Sequence, residues 1–260
     1  MKSVFFFALL WSLSLKAETV TFGPKVPVGS GEASSFVKTD DSQVITSLGL
    51  VFSGKALEGL PADLADHDYE YAIDLPANIS APPFDHMTMN WNPHGHEPTE
   101  IYGVPHFDFH FYFITKHEQH MILCDGTDNA ICMKQPIPED TPPFYVPGPG
   151  GVPMMGWHWV DPRSPEFNGQ PFTTTYVYGF YDGKMIFLEP MMALAFLQTK
   201  PQFTKEVPLP TNVGTPGKYP ANYSLMYDSV QDLYWLSLEK LTELTKLRVR
   251  SIESGHQTLL

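Results

Sequence analysis

The chain is predicted to be mainly β, an antiparallel barrel or sandwich with a short helix after the core and an amphipathic helix at the C-terminus. Three observations support this. The 260 residues include 25 prolines and 19 glycines, which favour short strands and ordered loops over long helices. Several segments alternate apolar and polar side chains with a period of two, as strands do. A long helical period occurs only near the C-terminus.

The N-terminus, residues 1–17, reads as a signal peptide. It has a basic Lys2, the apolar run VFFFALLWSLSL and a small residue before Glu18. The run is too short for a membrane span, and an uncleaved anchor is the alternative. No later segment has the roughly 18 apolar residues of a transmembrane helix, so no membrane association is expected after cleavage. The prediction is a secreted, extracellular protein, or a periplasmic one in a bacterium.

The charge balance narrows the expected partners. Cleavage would leave 14 basic against 29 acidic residues, a net charge of −15. Such a surface repels nucleic acid and anionic lipid, and no basic stripe offsets it. The expected partners are therefore a small molecule or a metal ion.

Residues 18–198 are predicted to form one β-barrel-like domain with a histidine-rich motif. The stretch His94–Phe113 holds four histidines, three carboxylates and six aromatic residues. From position 106 onward it alternates strictly, which predicts a strand with its phenylalanines facing a core. The other face would meet solvent or a polar pocket, and it carries His106, Asp108, His110 and Tyr112.

Histidine is the commonest metal ligand in proteins, so this concentration suggests a metal site. Along a strand the Cα atoms of His106 and His110 would be roughly 13 Å apart, which makes it difficult for both to bind one ion. Asp108 could share an ion more easily with either His106 or His110. The candidate ligands are His96, His106, His110, His158 and Glu189. Asp108 is either a ligand or a carboxylate that orients an imidazole. The other candidate pocket residues are His94, Glu100, Tyr112, Tyr176 and Tyr178.

Glu189 belongs to a predicted hairpin, TYVYGFYDGKMIFLE. Asp182-Gly183 between two β-rich segments indicates a two-residue type I′ turn. Pairing Tyr181 with Lys184 would place Glu189 opposite Tyr176. A carboxylate on an aromatic face is costly without a partner, so Glu189 either sits at a solvated sheet end or meets a metal.

These residues suggest a divalent metal site, with zinc or iron as the expected ion and a metalloenzyme of unknown reaction as one outcome. Copper is less favoured, because the methionine pairs Met154-Met155 and Met191-Met192 more often fill a core. A non-catalytic barrel that binds a small ligand is an alternative. So is a structural or stress-related secreted protein with an internal histidine hydrogen-bond network. No nucleophile motif such as GxSxG is present.

The two cysteines, Cys124 and Cys132, flank a turn-forming segment. In an oxidising compartment such a pair is expected to form a disulfide, whereas a thiolate metal site would need a shorter CxxC spacing. Asn78 and Asn222 match glycosylation acceptors, which is relevant only in a eukaryotic source.

The end of the chain changes in character. Residues 199–222 are predicted to be a Pro/Gly-rich linker and 223–260 a helical extension, after a short helix over Met191–Leu197. From Ser229 to Arg250, Ser229 with Asp232 resembles a capping box. Apolar residues recur there at helical spacing as a stripe of Val230, Leu233, Tyr234, Leu238, Leu241, Leu244 and Leu247. The helix would pack on its own barrel or join another subunit as a homo-oligomer.

Two family resemblances appear in the motifs. His94-x-His96-x3-Glu100 matches the core of the cupin metal motif, but the segment from Pro153 to His158 has different offsets from the second cupin motif. A closer resemblance is to a poorly characterised family of secreted, mainly bacterial β proteins, a domain of unknown function typified by an extracytoplasmic sigma-factor-regulated thermophile protein. It covers about Gly49–Gln198 through the motifs Trp91–Pro98, Tyr102–Tyr112, Met155–Thr173 and Tyr178–Met191. The resemblance implies a barrel-like fold that draws the histidine motif, His158 and Glu189 together, and it supplies no reaction.

Overall fold

The computed structural model describes residues 18–63, 69–124 and 129–245. The predicted signal peptide at 1–17 and residues 246–260 of the predicted extension lie outside this described part. Two seven-stranded antiparallel sheets make up the fold. We call them the central sheet and the terminal sheet.

The central sheet carries the histidine motif and has the strand order β5-β6-β7-β11-β10-β9-β8. Its strands are β5 (Tyr69–Asp74), β6 (His86–Asn92), β7 (His106–Tyr112), β8 (Val146–Val152), β9 (Gly156–Val160), β10 (Thr174–Tyr181) and β11 (Lys184–Ala193).

The terminal sheet joins both ends of the described chain in the order β1-β3-β4-β14-β13-β12, with β2 paired to β3. Its strands are β1 (Thr19–Phe22), β2 (Val26–Val28), β3 (Gly31–Thr39), β4 (Ile45–Ser53), β12 (Phe203–Glu206), β13 (Gly217–Asp228) and β14 (Leu233–Leu244). Neither sheet closes on itself within the described residues, so the fold is a sandwich and not the barrel.

The core lies between the two sheets and is rich in aromatic rings. Phe52 of β4 stacks on Phe109 of β7 with ring centroids 5.7 Å apart, and Tyr176 of β10 meets Tyr223 of β13 at 5.0 Å. The predicted inward face of β7 is confirmed, because Phe107, Phe109, Phe111 and Phe113 all join this core. Each cross-sheet aromatic pair adds about 0.5–1.5 kcal/mol beyond its burial.

The predicted C-terminal helix is wrong over its described part, which forms a β-hairpin of β13 and β14. The predicted cap residues lie at its turn, where the Asp228 carboxylate accepts hydrogen bonds from the amides of Val230 and Gln231. Val230, the first residue of the expected apolar stripe, is almost fully exposed. Leu236 is not part of the expected stripe, yet it is buried together with Tyr234 and Leu238. Burial at every second residue is the pattern of a strand.

The region predicted as a linker, residues 199–222, contains β12 and the start of β13, which pair with each other. Tertiary pairing therefore overrides the proline and glycine content of this region. The helix expected over Met191–Leu197 is shorter than predicted, because α3 covers only Leu194–Leu197 and the methionines extend β11.

The remaining helices are short and lie in the connections. Two are α-helical, α1 (Thr99–Tyr102) and α2 (Lys116–His120), and α2 begins with a capping box between Thr115 and Glu118. The 3-10 helices span Gly54–Leu57, Pro138–Asp140 and Pro165–Asn168. Helix α1 lies between the histidine loop and β7, so it helps to position the candidate site.

The predicted disulfide between Cys124 and Cys132 is confirmed, with Cα atoms 5.6 Å apart. Both cysteines are buried in a small cluster with Tyr112 and Phe187 at one end of the central sheet's outer face. Of the two glycosylation candidates, Asn78 is exposed, whereas Asn222 is buried in β13 and is not accessible to a glycan in the folded chain.

Candidate metal centre

The outer face of β7 is polar and buried. His106, Asp108, His110 and Tyr112 alternate with the core phenylalanines, and none is more than 4% exposed. Covering loops supply aromatic neighbours, including Phe172, whose ring lies 5.5 Å from that of His106. The outer face of β7 therefore lines a buried polar pocket and is not exposed to solvent.

The first cluster, which we call the His96 group, consists of His96, His106 and Asp108. The His106 Nε2 atom lies 3.1 Å from Asp108 Oδ1, and His96 Nε2 lies 3.3 Å from Asp108 Oδ2. Three ligands at zinc bonds of about 2.0–2.2 Å in tetrahedral geometry are about 3.3–3.6 Å apart. The spacing of the group therefore suits a shared cation.

Backbone carbonyls fix the ring orientation of both histidines in the His96 group. His96 Nδ1 donates to the carbonyl of Glu97 at 2.8 Å, and His106 Nδ1 donates to that of Val104 at 2.7 Å. Because a carbonyl only accepts, Nδ1 carries a proton in both rings, and Nε2 is turned toward Asp108. This is the hydrogen-bond arrangement of a metal-ligating histidine.

The loop before α1 brings His96 to β7. Gly95 has a φ of 72°, and an added Cβ there would overlap the carbonyl of Tyr102. Glycine is therefore required for the close approach. The loop closes through a hydrogen bond of 3.3 Å from the His96 amide to the same Tyr102 carbonyl.

The second cluster, which we call the Glu189 group, consists of His110, His158 and Glu189 from three different strands. His110 Nε2 lies 3.6 Å from Glu189 Oε1, and His158 Nε2 lies 3.4 Å from Glu189 Oε2. His110 Nδ1 donates to the side-chain oxygen of Asn90 at 3.2 Å, which turns its Nε2 toward Glu189. The five predicted ligands and Asp108 thus fall into two clusters.

A β-bulge places Glu189 differently from the prediction. The turn register is confirmed, since Tyr181 pairs with Lys184 and both turn residues have positive φ. The register then shifts between Gly179 and Phe180, so Glu189 pairs with Val177 and not Tyr176. A one-residue shift moves a side chain to the opposite face. Glu189 therefore joins the histidines on the outer face.

Burial keeps the two histidines of the Glu189 group neutral. Desolvation lowers the pKa of His110 to about 3 and the pKa of His158 to about 4. In the His96 group, burial alone would raise the pKa of Asp108, but the neighbouring charges of His106 and His96 hold it well below its usual range. At neutral pH the Glu189 group thus offers two imidazole lone pairs and the His96 group an ionised Asp108, the forms that bind metals.

Five predicted pocket residues belong to neither cluster. His94 and Glu100 are exposed on the loop and on α1. Tyr176 and Tyr178 face the core between the sheets, and the Tyr178 hydroxyl donates to the carbonyl of Pro208. Because of the bulge, Glu189 lies on the opposite face of the sheet from Tyr176 and Tyr178, so the two tyrosines do not line its cluster. Tyr112 is on the outer face, where its ring stacks between those of His86 and His110.

Sequence reasoning missed the polar residues of β6 that support the clusters. Asn92 donates to Asp108 Oδ2 at 2.7 Å, and Asn90 accepts from His110. The signal was available, because His86, Thr88, Asn90 and Asn92 alternate with apolar residues along HMTMNWN. Applying the period-two rule there predicts a second buried polar row beside that of β7.

Each cluster presents two imidazoles and one carboxylate. Three such ligands leave a coordination position open on zinc, and the same set is the facial triad of iron(II) oxygenases. His96 and His158 are partly exposed in side-chain area, at 38% and 21%, and their partners are buried. Each cluster is therefore accessible to solvent at one histidine, His96 on the loop and His158 on β9.

No helix in the described ranges is long and apolar enough to span a membrane. Comparisons with curated proteins and with solved structures gave no significant match. The family resemblance indicated by the sequence motifs spans about Gly49–Gln198, and the family match supports it only over the first part of that range. Residues 40–91 match the model of the TTHB210-like family, described as hypothetical protein TTHB210, so this part of the chain is similar to a family of unknown function.

Proposed function

We propose that the protein binds a divalent metal ion, zinc or iron(II), through His96, His106 and Asp108. The observation that carries the proposal is the orientation of two Nε2 atoms toward one carboxylate by Nδ1 hydrogen bonds to backbone carbonyls. Lone pairs and a carboxylate repel unless a proton or cation lies between them. A divalent cation satisfies all three ligands at the spacing observed.

The histidine hydrogen-bond network that would explain a purely structural role fits this cluster less well. His106 Nε2 and Asp108 Oδ1 are buried and 3.1 Å apart, and neither atom forms a well-aligned hydrogen bond in the described residues, so their contact is mainly electrostatic. Buried polar atoms are normally satisfied, because leaving one unpaired costs about 1–3 kcal/mol. A metal bound to both atoms removes that cost.

A metal held by three protein ligands would retain an open position for water or a substrate. Such an ion lowers the pKa of bound water and polarises a carbonyl or phosphoryl oxygen. The partly exposed side chain of His96 leaves a route to that position. A hydrolytic or oxygen-dependent metalloenzyme is the activity class that this arrangement supports.

We also propose that the protein acts outside the cytosol. The buried disulfide supports this, since disulfides persist mainly in oxidising compartments. The predicted signal peptide agrees with it, and the acidic composition argues against nucleic-acid partners.

Reconstitution of the metal-stripped protein tests the proposal. Zinc or anaerobic iron(II) is added, excess ion is removed, and metal per chain is measured together with the melting temperature. At free metal about 1,000 times Kd, one site stabilises by about 4 kcal/mol. For a chain of this size that is a rise in melting temperature of roughly 8–16 °C.

The decisive variant is His106→Gln, which should lose one ion per chain. His94→Ala is the matched control, because His94 lies in the same motif but is exposed. Equal metal content in wild type and His106→Gln would reject the assignment. A small-molecule hit in a thermal-shift screen that persists without metal would favour the ligand-binding alternative.

A further inference from the structure

The Glu189 group lies directly beside the His96 group. Asp108 and His110 are two residues apart on the same face of β7, so their Cα atoms are about 7 Å apart. The charges of Asp108 and His96 influence the ionisation of both His110 and His158, which places all of these groups within electrostatic reach. The clusters are separate, since no ligand atom is shared between them.

The Glu189 group has ligand features of its own. His110 Nε2 is fully buried and forms no hydrogen bond within the described part of the chain. It faces Glu189 because Asn90 and the more distant Thr88 hydroxyl occupy Nδ1. The distances of 3.4 and 3.6 Å from the two rings to Glu189 exceed those of charge-assisted hydrogen bonds, about 2.7–2.9 Å. They match the separation of ligands around a shared cation.

We infer that His110, His158 and Glu189 form a second divalent metal site, so that two ions lie side by side under the outer face of the central sheet. The pairing rests on the proposed function of the His96 group. The second site rests on its own geometry.

Two neighbouring ions would affect each other's binding. Ions separated by roughly the Cα spacing of Asp108 and His110, about 7 Å, would lie within the Debye length of about 8 Å at physiological salt, and burial reduces screening further. Each bound ion therefore lowers the affinity of the other cluster for metal. By linkage, the factor is the same in both directions.

Titration of the metal-stripped wild-type chain with Co²⁺, followed by visible absorption and equilibrium dialysis, tests the inference. The expected result is two ions per chain, bound in two steps. His106→Gln and His158→Gln should each bind one ion, and His94→Ala should bind two. Each remaining site should bind at least about tenfold more tightly than the same site binds in wild type when the other site is filled, and this factor should be the same for the two sites.

The outcomes separate this inference from the proposed function. One ion in wild type, lost in His106→Gln and kept in His158→Gln, would overturn the second site and leave the first. One ion lost only in His158→Gln would overturn both the pairing and the His96 assignment. The absence of any bound ion would overturn both the second site and the proposed function of the His96 group. The wild-type stoichiometry needs no variant, so a failure of either variant to fold leaves the inference falsifiable.

Discussion

The His96 group and the Glu189 group contain the same ligand types but are built differently. The His96 group comes from one continuous segment, residues 96–108, in which a loop folds back on the strand that follows it. The Glu189 group requires three strands, β7, β9 and β11, to meet in one register. One cluster depends on local chain geometry and the other on sheet pairing. Changes in sheet register should therefore affect the two groups unequally.

Their supporting contacts differ in the same way. Backbone carbonyls of the same segment orient both rings of the His96 group. In the Glu189 group a side chain from a neighbouring strand, Asn90, orients His110. The His96 group should therefore be the more preorganised of the two, and the Glu189 group the more sensitive to changes in the sheet.

Acid should produce the largest difference between the groups. The pKa values of His110 and His158 are about 3 and about 4 in the folded metal-free protein, against an ordinary 6.5. Because the folded values are depressed, the unfolded chain takes up protons first, and stability present above pH 6.5 is lost as the pH falls toward 4. The expected slope is about 1.4 kcal/mol per pH unit for each histidine.

The pKa of Asp108 is lowered below its ordinary 3.8, so the stability that this carboxyl contributes is lost only below about pH 3.8. Urea unfolding of the metal-free protein between pH 7.5 and 4 measures the histidine slope. His158→Gln should reduce that slope by about half. An unfolding free energy that does not change over this range would contradict buried neutral histidines.

A substitution at the bulge should damage only the Glu189 group. Gly179 pairs with both Phe187 and His158, and an added Cβ would overlap the Phe187 ring. That ring packs against His110 and His158. Gly179→Ala should cost about 1–3 kcal/mol by overpacking and weaken Co²⁺ binding at the Glu189 group alone. Gly150→Ala, where a Cβ meets open space, is the control. Equal weakening at both groups would show that they do not differ in construction.

The two asparagines of β6 provide a reciprocal test. Asn92→Ala should weaken metal binding at the His96 group by about 10–100-fold, because it removes a hydrogen bond to the Asp108 carboxylate. Asn90→Ala should do the same at the Glu189 group through His110. Co²⁺ titrations of each variant would show which step moves. If either variant shifted both steps equally, the supporting contacts would not be specific to one group.

The smallest effect is expected at His94. Its side chain is exposed, so His94→Ala should change stability by less than about 0.5 kcal/mol. The metal content should remain that of wild type. Loss of an ion in this variant would mean that the loop adopts a different arrangement when it is loaded with metal.

The sequence predicted the local features well. Strict alternation in β7 and the Asp182-Gly183 turn depend on neighbouring residues, and both are confirmed. The bulge at Gly179 was not predictable from the turn, and it moved Glu189 away from Tyr176. The C-terminal prediction failed because apolar spacing near Leu233–Leu244 fits a helix as well as a strand, and pairing with β4 and β13 decides between them.

Anomalous diffraction at the zinc absorption edge, from crystals of the zinc-loaded protein, is the direct test of metal binding by the two groups. We expect a peak about 2.0–2.1 Å from Nε2 of His96 and His106 and about 2.0–2.2 Å from an Asp108 oxygen. A second peak is predicted between His110, His158 and Glu189. Peaks confined to exposed acidic residues, with none at the His96 group, would contradict it.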